Sequence, residues 1–313
     1  MRNHSLFAAA LVLSSVACTI TTTDGGSPSG SNTPATPDTP AEPGAGENGG
    51  GESGGGGGSG KTGTIVLTQM SFAAGPTTID SYSASASFAQ AVASGGGGSA
   101  ACNTSQEGSC TITECTLPEQ QGGGQNPAPQ PTSSPHAGEI TIGGAVEVKL
   151  APDEKGAYTP KSGQEKLWSA DADISVKAAG DTIPAFDQKV KAPAVVTLTA
   201  PEWPQVGQPL AVDRTKSIEL AWTDGGAGDV TAQISTLAGN KTASVSCTFE
   251  AASGKGTIPA AALGKLLPTE QGSVSVGASG TTAFDAGDWK VSVMAMAPAK
   301  TAGGMASGAA KVE

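Results

Sequence analysis

Ile218-Glu219-Leu220-Ala221-Trp222-Thr223-Asp224-Gly225-Gly226-Ala227-Gly228-Asp229-Val230-Thr231-Ala232-Gln233-Ile234 is the stretch that decides the fold class. Apolar residues recur at every second position on both sides of a Gly/Asp cluster: Leu220 and Trp222 before it, Val230, Ala232 and Ile234 after it. Period two puts those side chains on one face of an extended chain, where a helix would need a period near 3.6. The cluster Asp224 to Asp229 has turn chemistry, so the stretch predicts a β-hairpin with one buried face.

The same pattern extends in both directions. Alternating or β-branched runs appear downstream at Thr242–Phe249, Gly272–Ala278 and Trp289–Ala295. Upstream they occur at Thr64–Phe72, Ser81–Ala89, Cys110–Cys115, Glu139–Ile142, Val146–Leu150, Asp173–Val176 and Val195–Thr199. Short strands set off by Gly, Pro, Asn or Asp predict an all-β sandwich. The single helical candidate is Pro259–Leu267, with Pro259 suited to a first turn. Val245, Cys247 and Phe249 share one face, as do Trp289, Val291 and Val293, and with Trp222 they supply most of one expected core. This alternation around a core tryptophan resembles an immunoglobulin-like or fibronectin type III sandwich. The expected domain spans residues 62–313, with a Gln/Gly/Pro-rich flexible loop at 119–136. Three strands before that loop bury too little to stand alone, so they are expected to complete a sheet with later ones.

At the other end, Leu6 to Val16 is an apolar run behind Arg2, closed by Ala17 and Cys18, the layout of a secretory signal over residues 1–17. Ser15-Val16-Ala17-Cys18 resembles the lipobox of bacterial lipoproteins, departing from it at Ser15, where that family usually has Leu. The resemblance implies that Cys18 becomes the acylated N-terminus, with the lipid bilayer as its partner. Thr19, in place of the Asp that often retains such proteins in the inner membrane, implies passage to an outer membrane. Ser15-Val16-Ala17 also reads as a small-x-small site for ordinary secretion, cut at the same bond. Residues 18–61 form a Thr/Ser/Pro/Gly tether without an aromatic residue, expected to be disordered because it has too little to bury. As a flexible coil it would set the domain about 35 Å from its anchor. No later apolar stretch approaches the roughly 20 residues that cross a bilayer.

Composition excludes several chemistries. The chain of 313 residues carries 28 acidic and 17 basic side chains; loss of Arg2 leaves 28 against 16, or −12. Phosphate backbones need clustered cations, so nucleic acid is not an expected partner. His4 leaves with the signal and His136 lies in a Pro/Ser-rich stretch, where nothing rigid is expected to orient it. Ser-His-Asp or Cys-His catalysis needs a locked imidazole, and zinc favours histidine-rich ligand sets, so neither a metal nor such a catalytic centre is expected. Gly55 to Thr62 matches the phosphate-loop pattern letter for letter, but no strand precedes it and the strand-like Thr64–Thr68 follows, so no nucleotide is expected.

Four cysteines, Cys102, Cys110, Cys115 and Cys247, remain after processing and are the disulfide candidates of an exported chain. Face parity turns Cys110 and Cys247 inward, where a bond between them would join the two sheets and leave Cys102 with Cys115. The short loop from Cys102 to Cys110 favours that local pair instead. Cys110 and Cys115 lie about 16 Å apart along one strand, out of reach of each other. Asp171, Asp173 and the acids of Asp224–Asp229 are the oxygen ligands available to calcium, but they lack the spacing of a calcium loop and read as turn residues. Trp203, between Pro201 and Pro204, is the possible ligand contact, with the alternative that it caps the core.

The order of segments resembles that of an uncharacterised family of bacterial secreted lipoproteins. It runs from the tether and cysteine cluster through Ala137-Gly138-Glu139-Ile140-Thr141-Ile142, Ile183-Pro184-Ala185-Phe186 and Leu220-Ala221-Trp222 to Cys247-Thr248-Phe249 and Gly256-Thr257-Ile258-Pro259. That resemblance implies location and fold and transfers no active residue. The expected function is a non-enzymatic, cofactor-free envelope lipoprotein that binds a protein or glycan or has a structural part. The alternative is a secreted carbohydrate-active enzyme with paired carboxylates.

Overall fold

The protein is seen in a computed structural model that describes residues 60–74, 77–90, 101–118, 133–205 and 207–313. The expected signal, Cys18, the tether up to residue 59 and loop residues 119–132 lie outside the described residues. Two long strands come first, β1 (Lys61–Ala74) and β2 (Thr77–Gln90), followed by the hairpin of β3 (Ala101–Glu107) and β4 (Cys110–Thr116). Shorter strands follow: β5 (Ile140–Gly143), β6 (Glu147–Leu150), β7 (Lys161–Gly163), β8 (Asp173–Ala178), β9 (Phe186–Lys191), β10 (Thr197–Ala200), β11 (Leu210–Val212) and β12 (Ile218–Thr223). The last part holds β13 (Asp229–Ala238), β14 (Lys241–Glu250), β15 (Lys255–Ile258), helix α1 (Ala260–Leu263), β16 (Thr269–Ala286), β17 (Trp289–Pro298), β18 (Lys300–Thr301), β19 (Gly304–Met305) and β20 (Ser307–Val312). The architecture is nearly all β, and among the described residues the one α-helix is short and begins directly after Pro259. No helix among the described residues is long and apolar enough to cross a membrane.

One sheet of eleven strands carries the molecule, in the order β3-β4-β14-β13-β16-β17-β1-β2-β7, with β20 beside β16 and β11 beside β20. Early strands pair with late ones: β1 lies parallel to β17, and β4 antiparallel to β14. Two smaller sheets cover its inner face, β15-β12-β10-β18-β19 over one half and β6-β5-β8-β9 over the other. Two cores result. The first gathers Val230, Ile234, Val245 and Val276 from the large sheet against Leu220, Trp222 and α1. The second gathers Ile65, Leu67, Trp289 and Val293 against Ile140, Ile142, Ile174 and Trp168. Trp289, Val291 and Val293 therefore do not share a core with Trp222, contrary to the sequence expectation, because β17 meets only the far half of β16.

The eighteen residues of β16 link the two halves. Val274, Val276 and Ala278 face the first core and Ala286 the second. Between them, Gly280 faces the carbonyl of Lys191, so close that a Cβ at 280 would collide with it. Thr282 donates its hydroxyl to the Lys189 carbonyl at 2.9 Å. Glycine thus lets β16 pass close over the edge strand β9, and threonine supplies a donor to one of its carbonyls.

The segment Asp224 to Gly228 is not a hairpin turn. β12 pairs with β10 and β15, whereas β13 pairs with β14 and β16, so the segment crosses from one sheet to the other. Leu220 and Trp222 face Val230, Ala232 and Ile234 across the first core rather than beside one another. The alternation was read for its burial but cannot say which sheet each strand joins. Positive φ at Asp224 (65°) and Gly228 (94°) makes the bend.

Candidate functional site

The chemistry concentrates on β4, which carries both disulfides. Cys110 is bonded to Cys247 and Cys102 to Cys115, and each pair consists of residues directly opposite on neighbouring strands. Cys110–Cys247 therefore ties β4 to β14 within the large sheet and does not join two sheets as the inward parity had implied. Parity fixes the face on which a side chain lies, and two inward residues on adjacent strands satisfy it equally well. Cys110 and Cys247 are fully buried, whereas Cys102 and Cys115 are half-buried on the outer face. Among the described residues the sheet ends at β3, whose side chains are exposed on both faces apart from half-buried Cys102. A strand with no buried face has nothing apolar to set its register; the Cys102–Cys115 bond supplies that constraint.

His136 is held by its surroundings, against the expectation from its Pro/Ser-rich context. Its Nδ1 accepts the Gly138 N–H at 3.4 Å, and its Nε2 lies 3.8 Å from Asp181 Oδ1. Next to it the Tyr158 hydroxyl donates to the Gly138 carbonyl at 2.7 Å and accepts the Ala137 N–H at 2.9 Å. Burial raises the Tyr158 phenol above its ordinary value, against the lowering by the Ala137 N–H and with some help from Asp181. This arrangement pins the start of β5 through long-range contacts that a local reading of Ser133-Ser134-Pro135 does not reveal.

The acids considered for calcium divide. Asp171, at φ 61°, turns Oδ1 to the Ala227 N–H at 2.7 Å and so braces the crossover. Asp224 Oδ2 accepts the hydroxyls of Thr197 and Thr223, each at 3.0 Å. Asp173 stands apart, paired with Lys191 at 2.7 Å and Lys189 at 3.6 Å, and these lysines hold its carboxyl below the usual range. Among the described residues no three His, Cys, Asp or Glu side chains form a group able to hold a metal ion. Lys61 and Thr62, the described end of the phosphate-loop match, open β1 and not a helix. Lys61 pairs with Asp288 and lies 5.9 Å from the Trp289 ring centroid. Trp203 is half-buried and packs against the first core, next to the cis Ala200-Pro201 bond.

A shallow groove of about 320 Å³ was not anticipated; Gln69, Asp80, Lys166, Trp168 and Lys300 are among its lining residues. Gln69 continues the inward series Ile65, Leu67 and is buried, with Oε1 accepting the Trp168 N–H at 2.8 Å and Nε2 donating to the Trp168 carbonyl at 3.2 Å. A polar residue at an inward position of an alternating strand is the signal that marks it in the sequence. Both ends of its amide are engaged by the chain itself, so it braces the groove wall. No family model matches this chain, and no curated protein matches it.

Proposed function

We propose that the chain is an exported, lipid-anchored protein of the bacterial cell envelope, probing or bracing its surroundings through a disulfide-stapled β module on a tether rather than through catalysis. The observation that carries this reading is the use of cysteine. Five are present, four close two disulfides, and the fifth, Cys18, ends the apolar run behind Arg2. Two disulfides in one small set of cysteines fit an oxidising compartment. A cysteine left over from the two disulfides at a signal cleavage point fits acylation, and two or more acyl chains anchor stably where one does not. The side chains that sequence reasoning offered for chemistry are used to hold turns, strand ends and edges, which supports a binding or structural role. The sixteen basic side chains against 28 acidic ones left in the processed chain favour solubility and leave protein or glycan as the fitting class of partner.

Metabolic labelling with a clickable palmitate analogue tests the anchor. The wild-type chain is expected to take the label and fractionate with the envelope, while Cys18→Ala loses both. A labelled Cys18→Ala chain, or an unlabelled wild type free in the medium, sinks the reading.

A further inference from the structure

The β3 edge of the large sheet has no strand beyond it among the described residues. Cys102 and Cys115 have Cα atoms 4.0 Å apart, and Cys110 and Cys247 3.9 Å apart. Directly opposite residues of antiparallel strands alternate between a narrow pair near 4.5 Å, which exchanges no backbone hydrogen bond, and a wide pair near 5.5 Å, which exchanges two. Both disulfides therefore sit at narrow pairs, and the two assignments agree along β4. Cys110 turns its backbone away from β14 toward β3, and five residues later Cys115 turns its backbone away from β3 toward β14. On β3, the N–H and C=O groups of Ala101, Asn103, Ser105 and Glu107 consequently point to β4, and those of Cys102, Thr104 and Gln106 point outward. Among the described residues no strand lies beyond them.

Natural edge strands are protected by lysine, proline, a bulge or extreme shortness. β3, Ala-Cys-Asn-Thr-Ser-Gln-Glu, runs seven residues in unbroken register without lysine, proline or a bulge, and its one charge, Glu107, stands at its end. We propose that β3 pairs antiparallel with β3 of a second copy about a two-fold axis through Thr104, joining two large sheets into one. In that register Thr104 faces Thr104, and Cys102 faces Gln106 twice, all as wide pairs, so three pairs of two bonds use every outward backbone group. Asn103 meets Ser105 and the acidic Glu107 meets Ala101, so no like charges oppose and threonine pairs with threonine. Each such bond replaces bonds to water and so contributes little net, and little apolar area is buried. Pairing is thus weak in dilute solution and grows where copies are held at high local concentration on one surface. In this respect it rests on the tethered display proposed above.

The test supplies the surface artificially, so that it does not depend on acylation. The mature chain, with a polyhistidine tag in place of Cys18, is bound to phosphatidylcholine vesicles containing a nickel-chelating lipid. Chains carrying Asn103→Cys are mixed with chains carrying Ser105→Cys and oxidised mildly. Asn103 and Ser105 form narrow pairs across the proposed seam, within disulfide reach. A covalent dimer is expected in the mixture and not with either variant alone. Thr104→Pro, added to both, removes an outward N–H that the monomer does not use and is expected to abolish the dimer while leaving the thermal midpoint unchanged; Gln106→Pro serves the same purpose if the first variant fails to fold. The proposal is overturned by a mixture without the specific dimer or by a dimer that survives both proline variants. Amides of Thr104 and Gln106 already protected from exchange in the dilute monomer also overturn it, since another stretch of the same chain would then cover the edge.

Discussion

Single side chains in this protein act mainly on backbone that would otherwise be stranded. Gln69→Leu keeps the volume of a buried position but leaves the Trp168 N–H and C=O without their partner. Each unmet group costs about 1–3 kcal/mol, so the variant is expected to lose about 2–6 kcal/mol in a urea titration. Gly280→Ala sets a methyl group against the Lys191 carbonyl and should cost about 1–3 kcal/mol, as overpacking does. Gly303→Ala, where nothing lies within 4 Å, is the matched control and should leave the midpoint in place. Asp213 accepts from Lys216 first of all, and from the Thr215 N–H and hydroxyl, which together hold its carboxyl well below the usual range. A lowered folded value contributes stability above the unfolded pKa, near 3.9, and loses it as pH falls through the folded value. Asp213→Asn is therefore expected to lower the thermal midpoint slightly at pH 6 and to match the wild type in strong acid. Of these residues only Gln69 carries a local signal, a polar side chain at an inward parity; the carbonyl that Gly280 accommodates lies 89 positions away.

At the scale of elements, β4 is stapled on both sides, and the two staples differ in exposure. Thiolate exchange needs access to a sulfur, so Cys102–Cys115 on the outer face should be reduced well before buried Cys110–Cys247. Limited reduction followed by alkylation and mass spectrometry reads the order; labelling of Cys110 or Cys247 first would contradict the burial described above. The strands legible in the sequence were those with an apolar face, as in β13 and β14, where Val230, Ala232, Ile234, Val245 and Cys247 mark the period. β3 and β9 were not legible, because Ala-Cys-Asn-Thr-Ser-Gln-Glu has no buried face and Phe-Asp-Gln-Lys-Val-Lys buries only Val190. β16 was foreseen only as Gly272–Ala278, since Ser279-Gly280-Thr281-Thr282 has the composition of a turn. It continues as a strand because β17 pairs along it from Gly277 to Ala286.

The whole molecule poses the question of whether two cores make two cooperative units. Separate hydrophobic clusters, each with its own covering sheet, favour independent unfolding, and chains of this size often depart from two-state behaviour. Three connections oppose that separation. β16 lends its first half to one core and its second half to the other, and at the crossing the Lys189 carbonyl of β9 accepts from Thr282 while the Lys191 carbonyl packs against Gly280. Asp171, on the connection between Trp168 and β8, holds the Ala227 N–H of the crossover that feeds the first core. Loss of either core would thus expose a backbone edge or an unmet donor belonging to the other, which costs more than the few bonds themselves. The four tryptophans provide the means to decide. Trp168 and Trp289 are buried in the second core, Trp222 is buried in the first and Trp203 packs against it. A chain with Trp168→Phe and Trp289→Phe reports the first core by fluorescence, and one with Trp203→Phe and Trp222→Phe reports the second. Ile234→Ala, a cavity in the first core worth about 2–5 kcal/mol, is then introduced into both. Coupling through β16 requires the urea midpoints of the two reporters to fall together. A second-core midpoint that stays in place while the first moves would instead show that the crossing at Gly280 is a hinge between two independent units.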